Sequence, residues 1–253
     1  MGESAKIAAA CVAAAFGFLA LGAADAADLV VLTNQGAVPG VTAVAEEFER
    51  RSGHRVTVVQ ADDEMLERRG RDGTADLVTA NPGVVQGLVD DGRAVASTVT
   101  PFVLAGLGVA VRAGVPKPDI STVESYAAAL RAAKSIGYSR GCSGTHTAEG
   151  IEELGLTEEL ASKTTRTTNG PVTAYLARGE FELGIQQTNI MVNVPGVDYV
   201  GPVPGALNKP CQSNVAVLSA SKEPDAAREM IRFMVSPAAA PLLRRTHVEP
   251  YTP

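Results

Sequence analysis

Tryptophan is absent and aromatic residues make up only 4% of the chain, so a core has to be built from Val, Leu, Ile and Ala. Basic residues are too few to give a positive excess; the formal charge is −6. That excludes a general electrostatic attraction to nucleic acid or to acidic membranes. The three histidines, His54, His146 and His247, are far apart and lack metal-ligand spacing. There is no His-Glu-x-x-His helix and no Gly-x-Ser-x-Gly elbow, so neither a metal centre nor a cofactor is expected. Beyond its first residues the chain shows no low-complexity tract and no internal repeat.

Those first residues carry Lys6, an apolar run from Ile7 to Leu21, and small residues ending in Ala24-Asp25-Ala26. This is the layout of a secretory signal with an A-x-A cleavage site, too short and too alanine-rich to span a membrane. Residues 1–26 are therefore expected to be removed on export to the periplasm. Their loss takes away Lys6, Glu3 and Asp25 and leaves a net charge of −5. About 227 residues remain, enough for one large domain or two lobes of about 100 residues. Cys11 is lost with the signal, leaving Cys142 and Cys211. An even pair in an oxidising compartment is expected to form a disulfide. Cys142 and His146 lie four apart, the spacing of a thiolate pair, but a bond to Cys211 makes His146 a solvated first-turn residue.

The mature chain alternates apolar strand runs with helical patterns. Leu29–Leu32, Arg55–Gln60 and Ala75–Thr79 read as strands, and helices are expected at about Pro39–Arg51, Glu64–Arg69 and from Asn81-Pro82 to Asp90. Phe102–Arg112 is a long apolar run with Gly106 and Gly108, and Asn214–Ser219 reads as a second long connecting strand. Ser121-Thr122-Val123-Glu124 has the form of a capping box. The stretch Ala133–Gly155 holds the densest chemistry. It reads as a strand Ser135–Tyr138, a polar turn Ser139–Thr145, and a helix Ala148–Leu154 closed by Gly155. Such a turn presents unpaired N–H groups and the positive end of a helix dipole to an anion. The same kind of junction recurs at Thr33–Gly36, Ala61-Asp62-Asp63, Asn169-Gly170 and Gln186-Gln187-Thr188. In α/β sheets, ligands bind beyond the carboxyl ends of strands.

The chain resembles the periplasmic solute-binding proteins of the molybdate-binding type, which serve ATP-driven ABC importers. The resemblance lies in Ala75–Val78, Pro118–Thr122, Ser143-Gly144, Arg178–Gln187 and Val200–Pro204. It implies an α/β fold of two lobes, each a mostly parallel sheet flanked by helices, joined by two crossing strands with the ligand trapped between. The lobes are expected at 27–108 with 214–253, and at 109–213. Molybdate binders usually carry Ser after both of the first two strands; Thr33-Asn34 and Ala61-Asp62-Asp63 stand there instead, so the chain looks like a divergent branch.

The expectation is thus a monomeric anion-binding protein that passes its ligand to an importer's permease, with no nucleic-acid partner. The ligand is either an inorganic oxyanion or a compact carboxylate. The residues expected around it are Thr33, Asn34, Gln35, Gly36, Asp62, Arg140, Ser143, Gly144, Thr145 and Gln187. The alternative carried by the resemblance is a periplasmic isomerase of a small tricarboxylate such as aconitate, with Asp62, Asp63 and His146 as its acid–base groups.

Overall fold

The computed structural model describes residues 26–252 except 62, 70, 71, 73, 168 and 169. The expected signal up to Asp25, the expected helix stop at Gly70, the expected helix opening at Asn169 and the candidate Asp62 lie outside the described residues. Among the described residues, no helix is long and apolar enough to cross a membrane.

The chain begins with β1 (Asp28–Thr33), α1 (Val38–Ser52), β2 (Arg55–Gln60), α2 (Asp63–Arg69), β3 (Leu77–Ala80), α3 (Pro82–Asp90) and β4 (Thr100–Ala105). It continues with β5 (Leu107–Arg112), α4 (Val123–Ala132), β6 (Ile136–Tyr138), α5 (Cys142–Glu153), α6 (Thr157–Leu160), β7 (Thr164–Arg166), α7 (Val172–Ala177), β8 (Leu183–Gln187) and β9 (Val197–Pro202). It ends with β10 (Cys211–Val217), α8 (Pro224–Met234), α9 (Ala240–Arg245) and β11 (Glu249–Pro250). A six-stranded sheet, β11-β4-β10-β3-β1-β2, forms the first lobe, and a five-stranded sheet, β7-β6-β8-β5-β9, forms the second.

Both sheets are covered on two faces, which is why their strands read as nearly continuous apolar runs. Alternate residues of β1 point to opposite sides. Leu29 and Val31 meet Val41, Val44 and Phe48 of α1 and Met230 and Met234 of α8, while Leu32 meets Leu66, Val85 and Leu88. In the second sheet Val109, Ile136 and Ile185 pack with Tyr126, Leu130 and Ile151, and Ala110 packs with Val172, Leu176 and Met191.

Four sequence expectations are corrected or refined. The sheets are mixed rather than mostly parallel: β1 runs parallel to β2 and β3, but β10 is antiparallel to β3 and β4, and β5 to β8 and β9. The strand that enters each lobe from a crossing, β5 or β10, runs opposite to the βα strands of that lobe. Phe102–Arg112, read as one long connecting run that its glycines permit to bend, divides at Gly106 into β4 and β5, which lie in different sheets. The capping box is Thr122 with Ser125, one residue later than the Ser121–Glu124 reading. The expected turn Ser139–Thr145 is helical from Cys142 onward.

The chain passes between the lobes at Gly106 and again between β9 and β10. Asn208 joins the two passages: its Oδ1 accepts from the Leu107 N–H at 2.6 Å, and further on Cys211 pairs with Ala105. Asn208→Ala leaves that amide unpaired and should cost about 1–3 kcal/mol, while Asn208→Asp keeps the acceptor and should cost less. Urea unfolding of the two variants beside the wild type checks the order.

Candidate functional site

The strand-to-helix junctions meet between the lobes. A cleft of about 490 Å³ is lined from the first lobe by Asn34, Gln35, Gly36, Gln60, Ala61, Met65 and Asn81. The second lobe contributes Ser139, Gly141, Cys142, Ser143, Gly170, Gln186 and Gln187. The residues leading into α1, α2, α3, α5 and α7 all reach it. No charged side chain occurs among these described lining residues. A cavity of similar size among β5, α4 and the start of β8 is lined by Val115, Pro116, Phe181 and other mostly apolar residues, and gathers no helix start.

The start of α5 shows how the sequence makes such a site. Its N-cap is Gly141, and no side chain caps the first turn. Gly144 and Thr145 donate back to the Gly141 carbonyl, so Cys142 and Ser143 hold the outermost amides of the helix, at the cleft wall. Gly144 is there for packing. A Cβ at that position would lie 1.6 Å from the Ser139 carbonyl oxygen, so only glycine lets the helix begin against the end of the preceding segment. Ser139 and Ser143 share a buried hydroxyl hydrogen bond of 2.8 Å, and the Thr147 hydroxyl donates to the Ser143 carbonyl at 2.7 Å. These local bonds let a Ser/Thr-rich stretch be helical where a turn was expected.

Across the cleft, Asn34 builds a tight turn by accepting from the Ala37 N–H, and its amide donates to Asn81 Oδ1 at 3.3 Å. Two contacts hold the lobes together here. Gln186 Nε2 donates to Gln35 Oε1 at 3.2 Å while its Oε1 takes the Val172 N–H, and Asn189 Nδ2 donates to the Gly36 carbonyl at 2.6 Å. Asn189 Oδ1 is buried without a partner among the described residues. At Gly36 the two lobes approach closely; a Cβ there would lie 2.4 Å from Gln187 Nε2.

Of the residues singled out from sequence, Asn34, Gln35, Gly36, Ser143 and Gln187 line this cleft together. Thr33 is fully buried; its hydroxyl accepts from Thr79 at 2.6 Å and donates to the Asn34 carbonyl. Arg140 and Thr145 are exposed and absent from the lining, and Gly144 stands behind it. Asp63 opens α2. His146 meets the Lys209 carbonyl through its Nδ1 at 2.9 Å and is absent from the cleft lining. Ser139, Gly141 and Gln186 belong to junctions named from the sequence, though not to the expected ligand set, while Gln60 and Asn81 were missed. Both sit at a strand end or helix start, so the junction rule applied to every strand would have found them.

Cys142 and Cys211 form the expected disulfide, with Cα atoms 5.9 Å apart. His146 lies beside both sulfurs, and the three potential ligand atoms fall within 4.8 Å of one another. With the sulfurs joined, no thiolate is left to hold a metal.

The sequence profile of bacterial extracellular solute-binding proteins matches residues 29–249. The chain belongs to that family. It is 29% identical over 237 residues to an aconitate isomerase from a Pseudomonas species, a match covering 91% of this chain and 90% of the relative. Among solved structures, the periplasmic molybdate-binding protein of Azotobacter vinelandii superposes with a TM-score of 0.72 at 18% identity, over 89% of this chain and 99% of that one. The sulfate-binding protein of Mycobacterium tuberculosis superposes with a TM-score of 0.70 at 18% identity, over 90% of this chain and 88% of that one. At such identities the superpositions establish the two-lobe fold.

In this solute-binding protein the start of α5 depends on Gly144. Gly144→Ala should therefore lower stability by about 3 kcal/mol or more, because the obstructing atom is backbone. Thr145→Ala, exposed one residue further on, should change stability by less than about 0.5 kcal/mol. Thermal unfolding of the pair tests whether the glycine is a packing requirement.

Proposed function

We propose that the protein is exported to the periplasm, where it captures a small anion between its lobes for delivery to the permease of an ABC importer. The observation that carries this reading is the convergence of several helix starts on one cleft with no described charged side chain. Amides at helix starts donate to an anion and add partial positive charge, without the strong attraction of a buried arginine. The proposed ligand set is Asn34, Gln35, Gly36, Ser143 and Gln187, joined by Gln60, Asn81 and Ser139. Gly144 acts through packing, and Thr33, Arg140 and Thr145 stand outside the set. Asp62 follows the lining residue Ala61 and stays among the candidates. A carboxylate there disfavours a fully ionised oxyanion and favours a ligand bearing its own proton.

Molybdate- and sulfate-binding relatives of the same fold support an inorganic oxyanion as the ligand. The test is a thermal-shift panel of molybdate, tungstate, sulfate, and di- and tricarboxylates. A ligand at 100 times its Kd should stabilise the protein by about 2.7 kcal/mol, a rise of roughly 5–10 °C. Gly36→Ala should fold normally, since its φ is ordinary. It should bind the stabilising anion at least about tenfold more weakly, because the new Cβ keeps Gln187 from seating. A panel without any stabilising anion overturns the reading.

The aconitate isomerase relative favours a second reading, turnover of a tricarboxylate on the same fold. Incubation with cis- or trans-aconitate, followed by NMR, separates the two. Capture predicts binding with no interconversion; steady interconversion abolished by Asp62→Asn makes the protein an isomerase.

A further inference from the structure

One face of α5 is occupied by a single short segment of chain. Cys142, His146, Glu149 and Glu153 follow one another at spacings of four, three and four, which puts them in one line along the helix. All four engage residues 209–211. Cys142 is bonded to Cys211, His146 Nδ1 donates to the Lys209 carbonyl at 2.9 Å, and Lys209 Nζ reaches Glu149 at 3.0 Å and Glu153 at 2.6 Å. Each partner of the Lys209–Glu149 pair favours the charged form of the other. The hydrogen bond from Lys209 holds Glu149 below the usual carboxylate range, and those to Glu153 and Glu149 push Lys209 up.

This segment is the second passage between the lobes. Asn208 takes the Leu107 amide at the first passage, and Cys211 is the opening residue of β10, paired with Ala105 in the first lobe's sheet. The disulfide therefore runs from the first residue of a second-lobe helix, itself part of the cleft wall, to the first-lobe side of the hinge.

We propose that Cys142–Cys211 and Lys209 are positioning residues that limit how far the lobes open and keep the α5 amides beside the first lobe's half of the cleft. A rotation about the two passages has to carry α5 away from β10, and the covalent bond at the helix start resists that separation. The ion pairs further along stop the helix from pivoting on the disulfide. The inference rests on the capture reading for its consequence, slow ligand release, but the mechanical part needs no ligand.

The closing experiment uses the mature protein in four forms: wild type, Cys142→Ser with Cys211→Ser, Lys209→Ala and Lys209→Arg. Small-angle scattering without ligand reads the opening directly. The double-serine variant should show a radius of gyration about 1 Å above the roughly 17 Å of a compact chain this size. Lys209→Ala, whose disulfide is intact, should show a smaller rise that Lys209→Arg reverses. Sulfate and trans-aconitate are then used as probes in stopped-flow release. Whichever binds the wild type should leave the double-serine variant at least about tenfold faster. An unchanged radius of gyration in both the double-serine and Lys209→Ala proteins, with only a lower melting temperature, overturns the proposal. If neither probe binds the wild type while the scattering change appears, the tether stands for the lobes and the choice of ligand fails separately.

The ion pair also makes a pH prediction. Glu149 is held low in the folded state, so its contribution is present above its ordinary value of 4.5 and lost as pH falls through the folded value. The difference in melting temperature between wild type and Lys209→Ala should therefore shrink below about pH 4.5 and persist at pH 7.

Discussion

A helix that begins with no side chain over its first turn leaves amide N–H groups without partners, and this molecule directs several such beginnings at one volume. Those groups have to be satisfied by solvent or by a guest. The cleft satisfies some of its own: Asn34 accepts from Ala37, Gln186 accepts from Val172, and Gly141 accepts from Gly144 and Thr145. Among the described residues, the outermost amides of α5 are left open at the wall, beside side chains such as Gln60 and Gln187. An anion with several acceptor oxygens matches that remainder better than any apolar molecule would.

Closure of the lobes rests on few contacts. The bonds from Gln186 to Gln35 and from Asn189 to the Gly36 carbonyl are worth about 1 kcal/mol each. Against them stands the buried Asn189 Oδ1, whose lost hydration costs about 1–3 kcal/mol. The terms nearly cancel. Apart from the Cys142–Cys211 tether, the contacts across the cleft leave closure nearly balanced, so bonds made by a guest to both walls decide it. This follows from two-state arithmetic: a ligand shifts closure only by what it gains in the closed form over the open one. The Cys142–Cys211 bond acts on a different scale. Spanning 69 residues, it removes chain entropy equivalent to about 4 kcal/mol from the unfolded state.

Much of the architecture was readable because apolar runs and helix signals fell where the sheets needed them. Val41, Val44, Ala45 and Phe48 mark the buried face of α1, and Pro82 and Pro224 mark the first turns of α3 and α8. The errors came where long-range contact overrode local preference. Cys142–Thr145 looks like part of a turn because Ser, Thr and Gly favour turns, yet Gly144 is placed to let a helix rest on the Ser139 carbonyl. Phe102–Arg112 reads as one long run in which Gly106 and Gly108 permit a bend; that the run changes sheet at the first of them is fixed by Asn208, about a hundred residues away. Thr33 was singled out by its place at a strand end. Strand ends alternate in facing, however, and its hydroxyl faces Thr79 while the next residues reach the cleft.

The neutrality of the described wall bears on how such a protein works. A mature charge of −5 gives an approaching anion no long-range attraction, so capture depends on contacts made inside the cleft. Fixed amides and hydroxyls discriminate by geometry and by protonation state, because a donor aimed at an oxygen that carries its own proton loses the bond. They also release. A buried arginine would add a strong charge-assisted bond that has to be broken in a low dielectric, whereas neutral donors return to water at smaller cost. A protein that must give up its ligand as readily as it takes it is served by many modest donors on two movable walls.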